Sequence, residues 1–226
     1  MNIKLMMDFL ADLAAHNDRE WFHAHKAEYQ AATHAFEELV RRLTLELRAG
    51  DPDIPLREPK ELTFKLMRDT RFSADKSPYN PSFRAHIGPQ GKLPIPVGYY
   101  LMLQPGGRTF LGGGLFADMF KDATTMMRDH IAAHGEEWQG ILEDPDFARR
   151  FTVAGTALKK VPQGYDPGHP QAQWLKYKSW YLEVPVADGD VLGGGFVDYA
   201  VETFLAMKPF NGFLNRGLEG FRMPER

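Results

Sequence analysis

Four positively charged side chains lie within twelve residues of one another, and their types and spacing suit the binding of an anion. They are Lys65, Arg68, Arg71 and Lys76. An arginine guanidinium presents a planar set of donors that matches phosphate and carboxylate groups, and a lysine adds a compact charge. Tyr79 follows the four cations and supplies a hydroxyl group. This basic turn therefore predicts a site for a small anionic ligand, with phosphate as the first candidate.

Two carboxylates inside the same turn support a different interpretation. Asp69 and Asp75 are placed to neutralise two of the four cations, which would leave an ion-paired turn that only fixes the path of the chain. Structural ion-pair networks are common wherever charges cluster. Two functional classes therefore stay open: a binding protein or enzyme for a small anionic molecule, or a non-catalytic interaction protein whose basic turn is structural.

The residues around the basic turn alternate between apolar and polar types, which is typical of half-buried strands. The short connections between these segments favour antiparallel pairing. The five predicted strands cover residues 62–67, 83–87, 97–104, 109–115 and 177–186.

The predicted pairing would gather further chemistry beside the basic turn. Arg84, His86 and Tyr100 each lie opposite the more apolar set of their own strand, and Lys65 lies opposite Phe64 in the same way. If the second and third strands pair, these four polar side chains share one face of the sheet and form a basic cavity with aromatic walls. Arg84 then joins the ligand-binding set, and His86 and Tyr100 are the candidate acid–base groups.

Helical patterns flank the strands. Apolar residues recur at helical spacing over residues 5–15 and 18–49, and Asn17 stands three residues before Glu20 as in a capping box. Further helices are predicted over residues 118–134, 136–143, 145–151, 196–207 and 209–221. This order predicts an α+β protein in which residues 1–226 form a single domain, with an antiparallel-dominated sheet of about five strands flanked by N-terminal and C-terminal helices.

The bulk composition restricts the partners and the compartment. The chain has 226 residues, 43% of them hydrophobic, and a net charge of −3, which argues against a nucleic-acid partner. Apolar runs are far shorter than the roughly 20 residues that a membrane-spanning helix needs, so no membrane association is expected. The absence of cysteine excludes disulfides and thiolate chemistry and favours the cytoplasm.

Two further patterns suggest a ligand site only superficially. His130 and His134 have the spacing at which two helical side chains face one metal, but a position near a helix C-terminus also explains them, and no metal site is predicted. The run Gly112-Gly113-Gly114 lacks the lysine of a phosphate-binding loop. We expect it to mark a bulge or a close approach of backbone. No motif indicates a cofactor.

Several strings along the chain resemble, in the same order, a bacterial family known as domain of unknown function 2461. The resemblance spans nearly the whole chain. It implies a single domain of this length, and it brings no established activity, cofactor or catalytic residue with it. The strings are NDREWF at residues 17–22, RDTRFSADKSPY at 68–79, GYY at 98–100, GGG at 112–114, VPQGYD at 161–166 and LAMKPFN at 205–211.

Overall fold

Four strands form an antiparallel sheet in the computed structural model, which describes residues 2–224. Each strand pairs with its neighbour in the chain, so the order across the sheet is the order in the sequence. The strands are β1 Phe83–Ile87, β2 Tyr99–Leu103, β3 Thr109–Leu115 and β4 Trp180–Val186.

Eleven helices surround this sheet within the described residues. Four precede β1, four lie between β3 and β4, and three follow β4. They are α1 Ile3–Ala15, α2 Arg19–Ala24, α3 Lys26–Gly50, α4 Pro59–Leu62, α5 Lys121–Ala133, α6 Gly135–Glu143, α7 Pro145–Arg150, α8 Ala172–Leu175, α9 Asp188–Leu192, α10 Phe196–Ala206 and α11 Lys208–Gly217.

The α+β class is confirmed, but the predicted strand over residues 62–67 is wrong. Pro59 suits the first turn of a helix, and the helix that begins there, α4, takes in Leu62. Beyond it, Thr63 forms a single bridge with Ala85, and the Phe64 N–H donates to the Arg84 carbonyl at 3.0 Å. The sheet therefore has four strands. The other four predicted strands are confirmed, with ends within three residues of those observed.

The helix predicted over residues 18–49 is two helices, α2 and α3, which meet at His25. The Asp18 side chain accepts from the Trp21 N–H at 2.8 Å and caps α2, so Asp18 and not Asn17 is the cap. Asn17 instead holds the backbone of Tyr79: its amide donates to the Tyr79 carbonyl at 2.9 Å and accepts from the Tyr79 N–H at 3.1 Å. The chain just before α2 thus fixes the far end of the basic turn.

The helices α3, α10 and α11 contact one face of the sheet, here called the inner face. Its residues are apolar and buried, as Leu101 on β2 and Leu111 on β3 show, both fully enclosed. Burial of one such side chain contributes about 1.5–3 kcal/mol, so this face holds much of the free energy of folding. No helix among the described residues is both long enough and apolar enough to cross a membrane.

Candidate functional site

The opposite face, here called the outer face, carries one residue from each strand in a row across the sheet. The pairing sets His86 opposite Tyr100, Tyr100 opposite Gly112, and Gly112 opposite Glu183. Neighbouring strands lie about 4.8 Å apart, so the row spans roughly 14 Å. Because Gly112 has no side chain, it leaves a gap in the row between Tyr100 and Glu183. The four residues line a groove that runs across the strands.

The groove has a volume of about 570 Å³, and aromatic rings line both of its sides. On one side the rings of Tyr100 and Phe110 stack at 5.7 Å between centroids, and Phe64 lies 6.2 Å beyond Tyr100. On the other side Phe116 stacks on Tyr181 at 4.1 Å and leaves half of its own surface exposed. A cavity of this volume with apolar walls and a few polar groups is typical of a small-molecule site.

The floor of the groove is the backbone of β3. A Cβ atom on Gly113 would lie 3.0 Å from the Met207 sulfur and 3.1 Å from Asn211 Oδ1, so glycine lets α11 pack closely beneath the strand. Gly114 has φ of +95°, which side-chain-bearing residues rarely adopt. The prediction that this glycine run marks a close approach of backbone is confirmed.

His86 is a fixed hydrogen-bond acceptor at one end of the groove. The residue is 7% exposed, and its Nδ1 lies 2.8 Å from the Gly91 carbonyl oxygen. Since a carbonyl only accepts, Nδ1 carries the hydrogen and Nε2 of the neutral ring carries the lone pair. Burial lowers the pKa of His86, which favours this neutral form. No hydrogen bond within residues 2–224 occupies Nε2.

Tyr100 is the donor that faces this acceptor from the next strand. Burial raises the pKa of the Tyr100 phenol, and the nearby Arg84 guanidinium opposes that shift only in part, so the hydroxyl keeps its proton. Arg84 itself lies over the Phe64 ring at 5.6 Å and donates to the Lys65 carbonyl at 3.1 Å. The structure therefore brings Arg84, His86 and Tyr100 together on one face, as the strand alternation predicts.

Two charged residues that the sequence did not single out complete the groove, Lys92 and Glu183. The Lys92 ammonium lies 3.4 Å from the Thr63 carbonyl and 3.5 Å from the Lys60 carbonyl. Among the described residues neither Lys92 nor Glu183 has a partner of opposite charge. Glu183 was detectable in principle, because it belongs to the outward set of the alternating string at residues 180–186.

Two of the four cations of the basic turn are paired with carboxylates of the turn itself. Arg68 pairs with Asp75 at 2.5 Å, and Arg71 pairs with Asp69 at 2.6 Å. The hydrogen bonds from Ser77, and then that from Arg68, hold the pKa of Asp75 far below its usual range. The Arg71 hydrogen bonds lower the pKa of Asp69.

The other predicted ligand-binding residues of the turn also lie away from the groove. The Lys76 ammonium donates to the Thr70 carbonyl at 3.0 Å, and Lys65 is exposed without lining the cavity. The Tyr79 ring is buried and stacks on Phe22 at 4.0 Å between centroids. Lys65 lies elsewhere because the chain leaves the edge of the sheet directly after Phe64, whose ring takes the place at the groove.

The two helical histidines are near each other but gather no further ligands. The ring centroids of His130 and His134 are 4.5 Å apart, and the Phe213 ring packs on His130 at 4.5 Å. Burial lowers the pKa of His130. Within residues 2–224 no three side chains of the types that bind metals come together in a cluster.

A family model described as a conserved hypothetical protein, DUF2461, matches residues 5–213. The chain belongs to this family. The match covers both the basic turn and all four residues of the row across the sheet. No curated protein and no solved structure matches the chain significantly. The family match therefore does not indicate an activity, and the chemistry of the groove is argued from its geometry.

Proposed function

We propose that this protein binds a small anionic molecule in the groove on the outer face of the sheet and that His86 and Tyr100 act on it as acid–base groups. The observation that supports the proposal most directly is Lys92. Lys92 lines a cavity of about 570 Å³, and among the described residues its ammonium contacts only backbone carbonyls, at 3.4 and 3.5 Å. A cation without a carboxylate partner beside a concave site attracts an anion.

The neighbouring groups support acid–base chemistry on that ligand. His86 offers a lone pair at Nε2, and its ring is fixed by the Gly91 carbonyl. Tyr100, directly opposite, offers a proton. One group that accepts and a neighbouring group that donates, both directed at one ligand, are the components of general acid–base catalysis.

The proposal is tested by comparing two lysines. Lys92→Ala removes the groove cation, and Lys76→Ala removes an exposed lysine of the basic turn whose ammonium also contacts a backbone carbonyl. Anions that bind are first found by thermal shift among inorganic phosphate, ribose 5-phosphate, nucleoside monophosphates and dicarboxylates. Calorimetry then measures their dissociation constants. We expect Lys92→Ala to raise the dissociation constant roughly 10- to 100-fold, as loss of a charged hydrogen bond does.

The control decides between the groove and the basic turn. Lys76→Ala should bind with the affinity of the wild type. If Lys76→Ala weakens binding and Lys92→Ala does not, the anion binds at the turn and the proposal for the groove is wrong. If no anion of the panel stabilises the wild-type protein, the proposed function is wrong as a whole.

A second candidate is a non-catalytic interaction protein, and one observation favours it. The basic turn is paired internally by Arg68–Asp75 and Arg71–Asp69, yet the Phe72 ring at its tip is 96% exposed. A structured turn that presents one aromatic ring is suited to contact another macromolecule. The cysteine-free composition supports a cytoplasmic setting for either function.

A further inference from the structure

The aromatic walls of the groove are more extensive than the capture of an anion requires. The rings of Phe64, Tyr100 and Phe110 follow one another at 6.2 and 5.7 Å, and all three are half-buried, with part of their surface uncovered. Phe116 stands on the other side of the Gly112 position and is half exposed. Aromatic faces of this kind gain most from a flat ring that stacks on them.

The polar groups between the walls form a donor beside an acceptor. Tyr100 donates through its hydroxyl, and His86 accepts at Nε2. Directly opposed residues on antiparallel strands have Cα atoms about 4.5–5.5 Å apart, so the two groups can reach one edge of one ring. The matching edge has an acceptor next to a donor, as a ring carbonyl beside a ring N–H provides.

We propose that the ligand of the groove is a planar heteroaromatic ring with a carbonyl beside an N–H and with an anionic substituent, as in the 5′-monophosphates of inosine, guanosine and uridine. The ring stacks between the walls above Gly112, its polar edge bonds to His86 and Tyr100, and the anionic group reaches Lys92. This inference rests on the proposed function, because it names the class of ligand for the same groove.

The charges at the two ends of the groove favour a single nucleotide over a polymer. Lys92 stands on the side of β1, and Glu183 stands on β4 at the other end of the row. A nucleic-acid strand that crossed the groove would carry phosphates past this carboxylate, which repels them. The net charge of −3 acts in the same direction.

Three probes with one phosphate each separate the contributions of the ring and of its edge. Inosine 5′-monophosphate has the ring and the carbonyl beside an N–H; purine riboside 5′-monophosphate has the ring but lacks that edge; ribose 5-phosphate has neither. We expect their affinities, measured by calorimetry, to fall in that order. Stacking supplies about 2- to 12-fold between the last two. The two neutral hydrogen bonds at the ring edge, one to Tyr100 and one to His86, together supply about 30-fold between the first two.

Variants test which residue is responsible for each difference in affinity between the probes. Phe110→Leu keeps an apolar side chain but removes the ring, so it should reduce the preference for purine riboside 5′-monophosphate over ribose 5-phosphate. Phe72→Leu, which changes an exposed ring outside the groove, should leave that preference unchanged. Tyr100→Phe should reduce the preference for inosine 5′-monophosphate over purine riboside 5′-monophosphate.

The outcomes distinguish this inference from the proposed function. If all three probes bind equally and Lys92→Ala weakens the binding of all three, the groove binds anions but does not recognise a ring. This inference is then wrong and the proposed function stands. If none of the three binds while another anion of the panel does, the ligand class is wrong. If no anion binds, both are wrong. A single-stranded oligonucleotide that binds more tightly than the monophosphates, with strong salt dependence, also overturns the inference.

Discussion

The two faces of the four-stranded sheet differ in how far their side chains are buried and in how polar they are. On β2, Leu101 points to the inner face and is fully enclosed by helices, whereas its neighbour Tyr100 points to the outer face and is only half covered. The inner face is apolar and packed. The outer face keeps an imidazole, a phenol and charged groups beside uncovered aromatic rings. One face is therefore suited to stability, and the other exposes surface that folding alone would favour burying.

One cluster of polar groups on the inner face is paired within the chain. The Tyr99 hydroxyl donates to Asp51 Oδ2 at 2.6 Å, and the Lys208 ammonium lies 3.5 Å from the other oxygen of the same carboxylate. Burial, and then the bond to Asp51, raise the pKa of Tyr99. Here the polar groups are matched within the chain, whereas on the outer face Lys92 and Glu183 are not matched among the described residues.

The largest contrast between the faces should appear when neighbouring residues of β2 are truncated. Leu101→Ala leaves a cavity in the enclosed inner face, and we expect it to lower the free energy of unfolding by about 2–5 kcal/mol. Met102→Ala, on the half-covered outer face, should cost less than about 1 kcal/mol. Urea denaturation measures both. Equal losses would mean that the outer face is packed as firmly as the inner one.

A smaller contrast is expected for the two adjacent tyrosines. Tyr99→Phe removes the donor to the buried Asp51 carboxylate and should cost about 1–3 kcal/mol, because a buried acceptor loses its partner. Tyr100→Phe should change stability by less than about 0.5 kcal/mol, since its hydroxyl faces the groove. The same denaturation assay compares them. A Tyr100→Phe loss as large as that of Tyr99→Phe would show that Tyr100 serves the fold.

The pH dependence of stability sharpens the comparison at His86. Because burial lowers the pKa of His86, the unfolded chain binds a proton more readily than the folded one as pH falls below the ordinary value of about 6.5. The wild type should therefore lose more stability between pH 7 and pH 5 than His86→Gln does. His130, whose pKa burial also lowers, is present in both proteins and cancels in the comparison. Identical pH profiles would contradict a buried, neutral His86.

The smallest effect on stability is expected in the basic turn. Asp75→Asn removes a charge partner of Arg68, but the pair is exposed, so solvent screens it and the loss of stability should be the least of the series. The change should show instead as faster cleavage of the turn in limited proteolysis, because the Arg68–Asp75 pair joins two positions seven residues apart. Unchanged proteolysis would show that these contacts do not order the turn.

The sequence predicted which face of the sheet carries the candidate site better than it predicted which residues line that site. Alternation along β1 and β2 was enough to place Arg84, His86 and Tyr100 on one side, because the strand period allows only two directions. The fold class and four of the strands followed from the same periodicity. For the basic turn the sequence left two interpretations open, because charge density does not show which ions pair in space. The structure pairs Arg68 with Asp75 and Arg71 with Asp69, as the structural interpretation expects.

The residues that the sequence analysis missed depend on distant pairing. Lys92 lies in a loop and reaches the groove only because that loop folds back on Thr63. Glu183 lies on β4, which begins 65 residues after the end of β3. Phe64 was assigned to the apolar side because its segment was taken as a full strand. Each of these errors concerns register or loop path, which local patterns do not encode.

The close contact beneath Gly113 has a consequence for how the groove can change. A single peptide layer separates the cavity from Met207 and Asn211, and Asn211 also donates to the carbonyl of Gly98, which lines the cavity too. Substitutions at Met207 or Asn211 would shift the β3 backbone that forms the floor of the groove, without changing any side chain that lines it. The shape of the proposed binding groove can therefore be altered by substitutions on the inner side of the sheet, while every side chain that lines the groove stays the same.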